Sequence, residues 1–302
     1  MPSSDSQSGN LIFVLDTMSA AARLLPSAGL SALAAAPSAS RAPKDYKILF
    51  RALAHRKFMD GYRPNPRPVV PLPANLQSRG AHRALYTEML KTCFPNESKR
   101  SRAKAAEQQA SGAEPESDET LLTTALLSFV RTEDYVAAII ALRVFDSLTV
   151  PVSERTRHAT LHALAVRLAE APASPFARCL FPTDVTFHRW TDEAKAAGWG
   201  VNQRRLDVQS GKLREGSVED IELREKATER AMAHLLEANT TKSKKPSRPL
   251  ENILRNAFRG RGLQQSPNGK PWTPVAVRRA VGKTAIELVP DTARFRSVIG
   301  YR

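Results

Sequence analysis

Apolar positions along this chain recur at helical rather than alternating intervals. In "ETLLTTALLSFVRTEDYVAAIIALRVFDSL" (119–148) they run in i, i+3, i+4 steps, with a break near Thr132–Asp134. The pattern predicts two helices joined by a tight turn. Asp134 is the N-cap of the second, whose apolar face uses Val136, Ile139, Ile140, Val144 and Leu148. A third helix is expected over "SERTRHATLHALAVRLAEA", capped by Ser153, with Leu161, Leu164 and Leu168 on one side and Pro172 and Pro175 closing it. Further helices are expected from Thr183 or Asp184 to Gly198, and over "SVEDIELREKATERAMAHLLEAN". In the latter, Ser217 and Asp220 make a capping arrangement, Ile221, Ala231, Leu235 and Leu236 are the apolar side, and Asn239 is the stop.

Upstream, "DYKILFRALAHRKF" carries a short helical pattern that ends at "RPNPRPVVPLP", where five prolines between 64 and 73 demand extended backbone. A helix is expected over "AHRALYTEMLKTCF", with Ala81, Leu85, Met89 and Cys93 on one face, followed by a polar linker at 95–118. Near the C-terminus "PLENILRNAF" reads as one more short helix, and only "TAIELV" at 284–289 has strand character. The expected fold is mainly α: a central helical-hairpin domain, α-solenoid-like or a small bundle, with extended, partly disordered basic flanks. The segments are 1–43 (transit peptide or disordered), 44–94 (basic helical segment with a Pro-rich break), 95–118 (linker), 119–239 (helical core) and 240–302 (basic tail).

Charge changes this picture from a generic helical domain to one with a polyanion in view. Residues 41–104 hold fifteen Lys and Arg against four Asp and Glu, net +11; residues 239–302 hold fourteen against three, again +11. Between them, residues 105–238 hold fifteen against twenty-one, net −6. Two cationic flanks around a slightly acidic body suit a chain that lays segments on phosphates, giving salt-dependent, sequence-independent affinity. In the tail, Lys242, Lys244, Lys245, Arg248, Arg255, Arg259 and Arg261 are the expected nucleic-acid-binding residues. An anionic membrane surface is the competing polyanion, and charge alone does not separate the two.

No apolar run reaches the roughly 18 residues a bilayer span requires, so no transmembrane segment is expected. Between Asp16 and Asp45 the chain has no acidic residue and is rich in Ala, Ser and Leu, with Arg23, Arg41 and Lys44. That is the composition of a mitochondrial transit peptide, because a membrane potential draws a cationic helix inward and opposes acidic groups. Asp5 and Asp16 precede the acid-free run, which is accommodated if translation starts at Met18.

Residues 119–170 resemble the helical hairpins of the tetratricopeptide and pentatricopeptide repeat families. The likeness rests on "ETLLTTALLSFV", the "RTEDY" turn, "YVAAIIALRVFDSL", Ala137 as the small packing residue and Pro151 as the end-of-repeat proline. It covers about one and a half repeats, and such repeats need about three copies for stability. Separately, "ILFRALAHRKF" resembles the LYR-motif family of small mitochondrial assembly factors. Leu49, Phe50 and Arg51 stand in the triad, with Phe where Tyr is usual, and Leu53, Arg56 and Phe58 follow. That resemblance implies a three-helix adaptor that binds mitochondrial acyl carrier protein or other mitochondrial proteins.

Candidate chemistry is sparse. Cys93 and Cys179 are too few for a disulfide framework. His158 and His162 stand at i, i+4 but lack a third ligand in sequence, so no metal or cofactor is expected. Gly282-Lys283-Thr284 resembles the end of a phosphate-binding loop, yet position 277, where that loop needs glycine, is Val. Trp190, Trp199 and Trp272 are read as packing against helices or loop bases, with base stacking by Trp272 as a second role. Taken together, the sequence predicts a non-enzymatic mitochondrial matrix protein that associates with RNA or the mitochondrial ribosome. A LYR-type adaptor and a membrane-surface regulator of mitochondrial form or inheritance are the alternatives.

Overall fold

The computed structural model describes residues 27–58, 74–95, 118–170, 172, 174–197, 199, 201–238, 245–260 and 272–300. Its architecture is a bundle of packed helices around α5 (Tyr135–Ser147), and every side chain from Tyr135 through Phe145 is buried. A helix covered all round must have neighbours on every side, and α5 draws them from both halves of the chain. α4 (Asp118–Arg131) precedes it as a hairpin partner, while α11 (Arg248–Gly260), α12 (Pro274–Leu288) and α13 (Arg296–Ile299) return from the C-terminal end to pack on it.

Both ends of α5 are fixed by the same device. At the end of α4, Glu133 stands at φ 59°, its amide donates to the Val130 carbonyl, and the Asp134 amide donates to Phe129. After α5, Thr149 stands at φ 54°, its amide donates to Asp146, and the Val150 amide donates to Phe145. These are paired C-terminal hydrogen bonds of the Schellman type, a position that favours glycine because a Cβ is disfavoured at positive φ. Asp134 then serves the next helix at once, accepting from the Ala137 amide at 3.4 Å. The hairpin anticipated from "RTEDY" is therefore present, with its predicted cap. At Thr149 a β-branched residue occupies a left-handed position that costs about 1 kcal/mol. Thr149→Gly is expected to raise stability by about that amount, measured as a shift in the urea midpoint with an unchanged slope.

The remaining helices extend the core. α2 (Pro43–Phe58) lies on α4, and α3 (Arg79–Cys93) contacts α2 and α12. α6 (Glu154–Glu170) packs on α4 and more extensively on α10 (Val218–Ala238). α7 (Pro175–Leu180) lies against α11, and α8 (Asp184–Ala196) bridges α7 and α10. α9 (Val201–Gln209) is tied to α10 through Arg204, whose guanidinium donates to Asp220 at 2.8 and 3.2 Å. Ser153, Thr183 and Ser217 take the capping roles expected of them, accepting from the amides of Thr156, Thr186 and Asp220. One apolar cluster runs from Leu30 to Val298.

Several expectations are corrected. "TAIELV" is helical, forming the last turns of α12: Val277, Val281, Ala285 and Leu288 bury at helical spacing, and Thr273 caps the start with Pro274 at the first position. The described parts of the basic tail, 245–260 and 272–300, are helices of the core rather than extended chain. α3 buries His82, Leu85, Tyr86, Met89 and Leu90, so Leu85 and Met89 of the expected face are core, while Cys93, packed against it, and Ala81 are half-buried.

The region 27–43, assigned above to a removable address, carries α1 (Ser27–Ala35). Its Leu30, Leu33 and Ala34 are buried, and Arg41 ties it down with a 2.5 Å ion pair to Glu88 and a bond to the Ala34 carbonyl. Residues 1–26 lie outside the described residues.

Candidate nucleic-acid interface

α11 holds the centre of the predicted cationic site. Its inward positions Leu250, Glu251, Ile253, Leu254, Ala257 and Phe258 are buried, which leaves Arg248, Asn252, Arg255, Asn256 and Arg259 as a stripe toward solvent at i, i+3 and i+4 spacing. The stripe exists because the helix is amphipathic: the same periodicity that buries the leucines aligns the arginines.

Not all of these charges are available. Glu251, 3% exposed, receives Arg143 Nη2 at 3.0 Å from α5 and also pairs with Arg255 one turn away. Buried carboxylates need this kind of compensation. Arg255 is therefore drawn onto a carboxylate that it shares with Arg143. Arg248 is half-buried and Arg259 exposed, and neither has an acidic partner among the described residues. Lys245 is exposed just ahead of the helix, beside Ser247, whose hydroxyl donates to Asp146 at 2.7 Å. Lys242, Lys244 and Arg261 lie outside the described residues.

Phe258 and Trp272 bring the end of α11 against the start of α12, with ring centroids 4.8 Å apart. Trp272 is half-buried in that contact, the packing role expected for it. From there α12 adds exposed Arg278, Arg279 and Lys283, and α13 adds exposed Arg296; none of the four has an acidic partner among the described residues. Charge counting had included these residues in the tail's +11 without singling them out, since pairing is a property of the fold.

The middle of the chain is mixed: Arg155, Lys212, Arg214, Lys226 and Arg230 are exposed without an acidic partner among the described residues, while others are paired. Arg178 pairs with Asp184, Arg189 with Glu237, Lys195 with Asp192, and Arg204 and Arg224 with Glu215 and Asp220. Cations without an acidic partner are therefore found on the middle helices as well as on α11, α12 and α13, where Arg248, Arg259, Arg278, Arg279, Lys283 and Arg296 follow one another along the C-terminal segment. Such a set can hold phosphates; it has no means to read base edges by itself.

Of the LYR-like triad, Leu49 and Phe50 are fully buried, Phe50 lying 5.7 Å from the His82 ring and 6.4 Å from those of Tyr86 and Phe129. Arg51 alone is exposed, so these first two residues act as core. Gly282-Lys283-Thr284 lies within α12, where the helical backbone offers no phosphate cradle. Among the described residues no group of three or more His, Cys, Asp or Glu is placed to hold a metal ion, and no helix is long and apolar enough to cross a membrane. No protein-family model, curated protein or solved structure matches this chain.

Proposed function

We propose that this protein is non-enzymatic and associates with RNA, as messenger or within the mitochondrial ribosome, through its C-terminal helical face. The observation that supports the reading is the set of uncompensated cations on α11, α12 and α13: Arg248, Arg259, Arg278, Arg279, Lys283 and Arg296. Cations held on helices that are themselves part of the core lose little further freedom on meeting a phosphate backbone, so their contacts carry a smaller ordering cost than those of a flexible arm. The mitochondrial location rests on the acid-poor N-terminal composition. Because α1 belongs to the core, an imported chain that keeps this fold would be cut ahead of Ser27.

The test is retention of a single-stranded RNA by the full chain over a salt series. Affinity is expected to fall with salt at a slope of about 0.7 per phosphate contacted, and the double charge reversal Arg248→Glu/Arg259→Glu is expected to flatten it by one to two contacts. A salt-independent affinity, or no retention at low salt, refutes the reading.

A further inference from the structure

α12 presents to solvent a face unlike that of α11. At about 100° per residue, Val275, Arg279, Gly282 and Ile286 fall on one line down the helix, with Arg278 to one side and Lys283 to the other. Val275 is 55% and Ile286 68% exposed, large values for aliphatic side chains with a packed core next to them. A Cβ placed on Gly282 would meet nothing within 4 Å, so the line between the two aliphatics is open. The opposite face, Val277, Val281, Ala285 and Leu288, is fully committed to α5 and its neighbours.

We propose that this outer face of α12 docks on an anionic phospholipid surface. The argument is charge complementarity laid over shape. An aliphatic ridge flanked on both sides by unpaired cations matches an interface in which acyl chains lie just beneath negative headgroups: Val275 and Ile286 enter the boundary while Arg278, Arg279 and Lys283 stay at phosphate level. RNA offers no apolar layer for the ridge, and the outer stripe of α11, Arg and Asn with no aliphatic member, is the better face for it. With two aliphatics and three cations the attachment is reversible and salt-sensitive, a peripheral association that requires no spanning helix.

The experiment is co-flotation of the full chain with vesicles of phosphatidylcholine alone and with about one third phosphatidylserine. Binding is expected to the anionic vesicles only. Ile286→Asp should lower the bound fraction at least tenfold with an unchanged unfolding midpoint, because the position is exposed; Gly282→Leu, which extends the ridge, should raise the bound fraction and also the midpoint, since leucine is the better helix former. Should Ile286→Asp shift the midpoint, Val275→Asp at the other end of the ridge gives the same reading. RNA retention should survive Ile286→Asp, which separates this face from that of α11. Three results overturn the proposal: equal binding to neutral vesicles, no binding to anionic ones, or aspartate substitutions on the ridge that leave flotation intact while weakening RNA or protein association.

Discussion

Asp134→Ala is expected to lower stability by about 3 kcal/mol, the larger of the single-residue effects in the hairpin. The carboxylate does three jobs from one position. It caps α5 through the Ala137 amide, it receives Arg83 in a two-pronged contact at 2.8 and 2.9 Å, and it lies 3.8 Å from Arg79. Loss of a cap costs about 1 kcal/mol and breaking a buried ion pair about 3–5. The Asp134 side chain is 2% exposed but that of Arg83 is 22%, and Arg83 also lies 3.8 Å from Glu287, so the freed guanidinium recovers part of its solvation. That argues for the low end. Asp134→Asn keeps a cap acceptor and loses the charge, so it should fall between wild type and Ala. In a cycle with Arg83→Ala the two losses should be less than additive by at least about 1 kcal/mol. Additive losses would show that the ion pair contributes nothing beyond the cap. Burial by itself would raise the Asp134 carboxyl, and contact with Arg83 and Arg79 outweighs this, so its pKa lies below the usual carboxylate range. Its contribution is therefore present above that range and lost as pH falls beneath it.

How much of this was visible beforehand divides along sequence distance. Caps and helix limits are local, and Asp134, Ser153, Thr183 and Ser217 announce themselves by residue type and spacing. Left-handed positions normally do so through glycine, but here Glu133 and Thr149 occupy them, so the two Schellman ends had no signature. The complete burial of α5 was not legible from its own pattern, since its polar-looking member Arg143 is matched by Glu251, 108 residues further along. The same long-range closure hid the character of the tail. "TAIELV" carries the β-branched Thr284, Ile286 and Val289, residue types that strands favour, yet Ile286 points outward while Ala285 and Leu288 point in, because α12 is read at a helical period once Thr273 and Pro274 start it. For the candidate site, composition pointed to the C-terminal end of the chain. It could not separate Arg255, held by Glu251, from Arg259, which has no such partner.

Stability should fall as pH drops from 6.5 toward 4, with His82 as the main cause. Its ring is 3% exposed, stacked at 4.3 Å on Phe129, and joined through Nε2 to the Ser128 hydroxyl at 2.9 Å. The Ser128 hydroxyl hydrogen is directed to the Ala125 carbonyl at 2.7 Å, so the hydroxyl oxygen accepts and His82 is the neutral tautomer with its proton on Nε2. Burial pushes its pKa from the ordinary 6.5 down to about 4, with Arg83 and Arg79 adding to the depression and Asp134 opposing it. Between those values the unfolded chain takes up a proton that the native protein refuses, so unfolding is favoured by acid. At 1.36 kcal/mol per pH unit, the interval amounts to about 3 kcal/mol, fully available above 6.5 and lost progressively toward 4. His82→Gln, which keeps an amide donor for Ser128, should lower stability at neutral pH but leave most of that slope absent. His162, whose pKa is lowered by partial burial and then by His158 and Arg131, keeps a smaller slope of the same sign in the variant. Urea unfolding at half-unit steps across this range reads the difference directly, and a variant slope equal to wild type would place the acid sensitivity elsewhere than between α3 and α4.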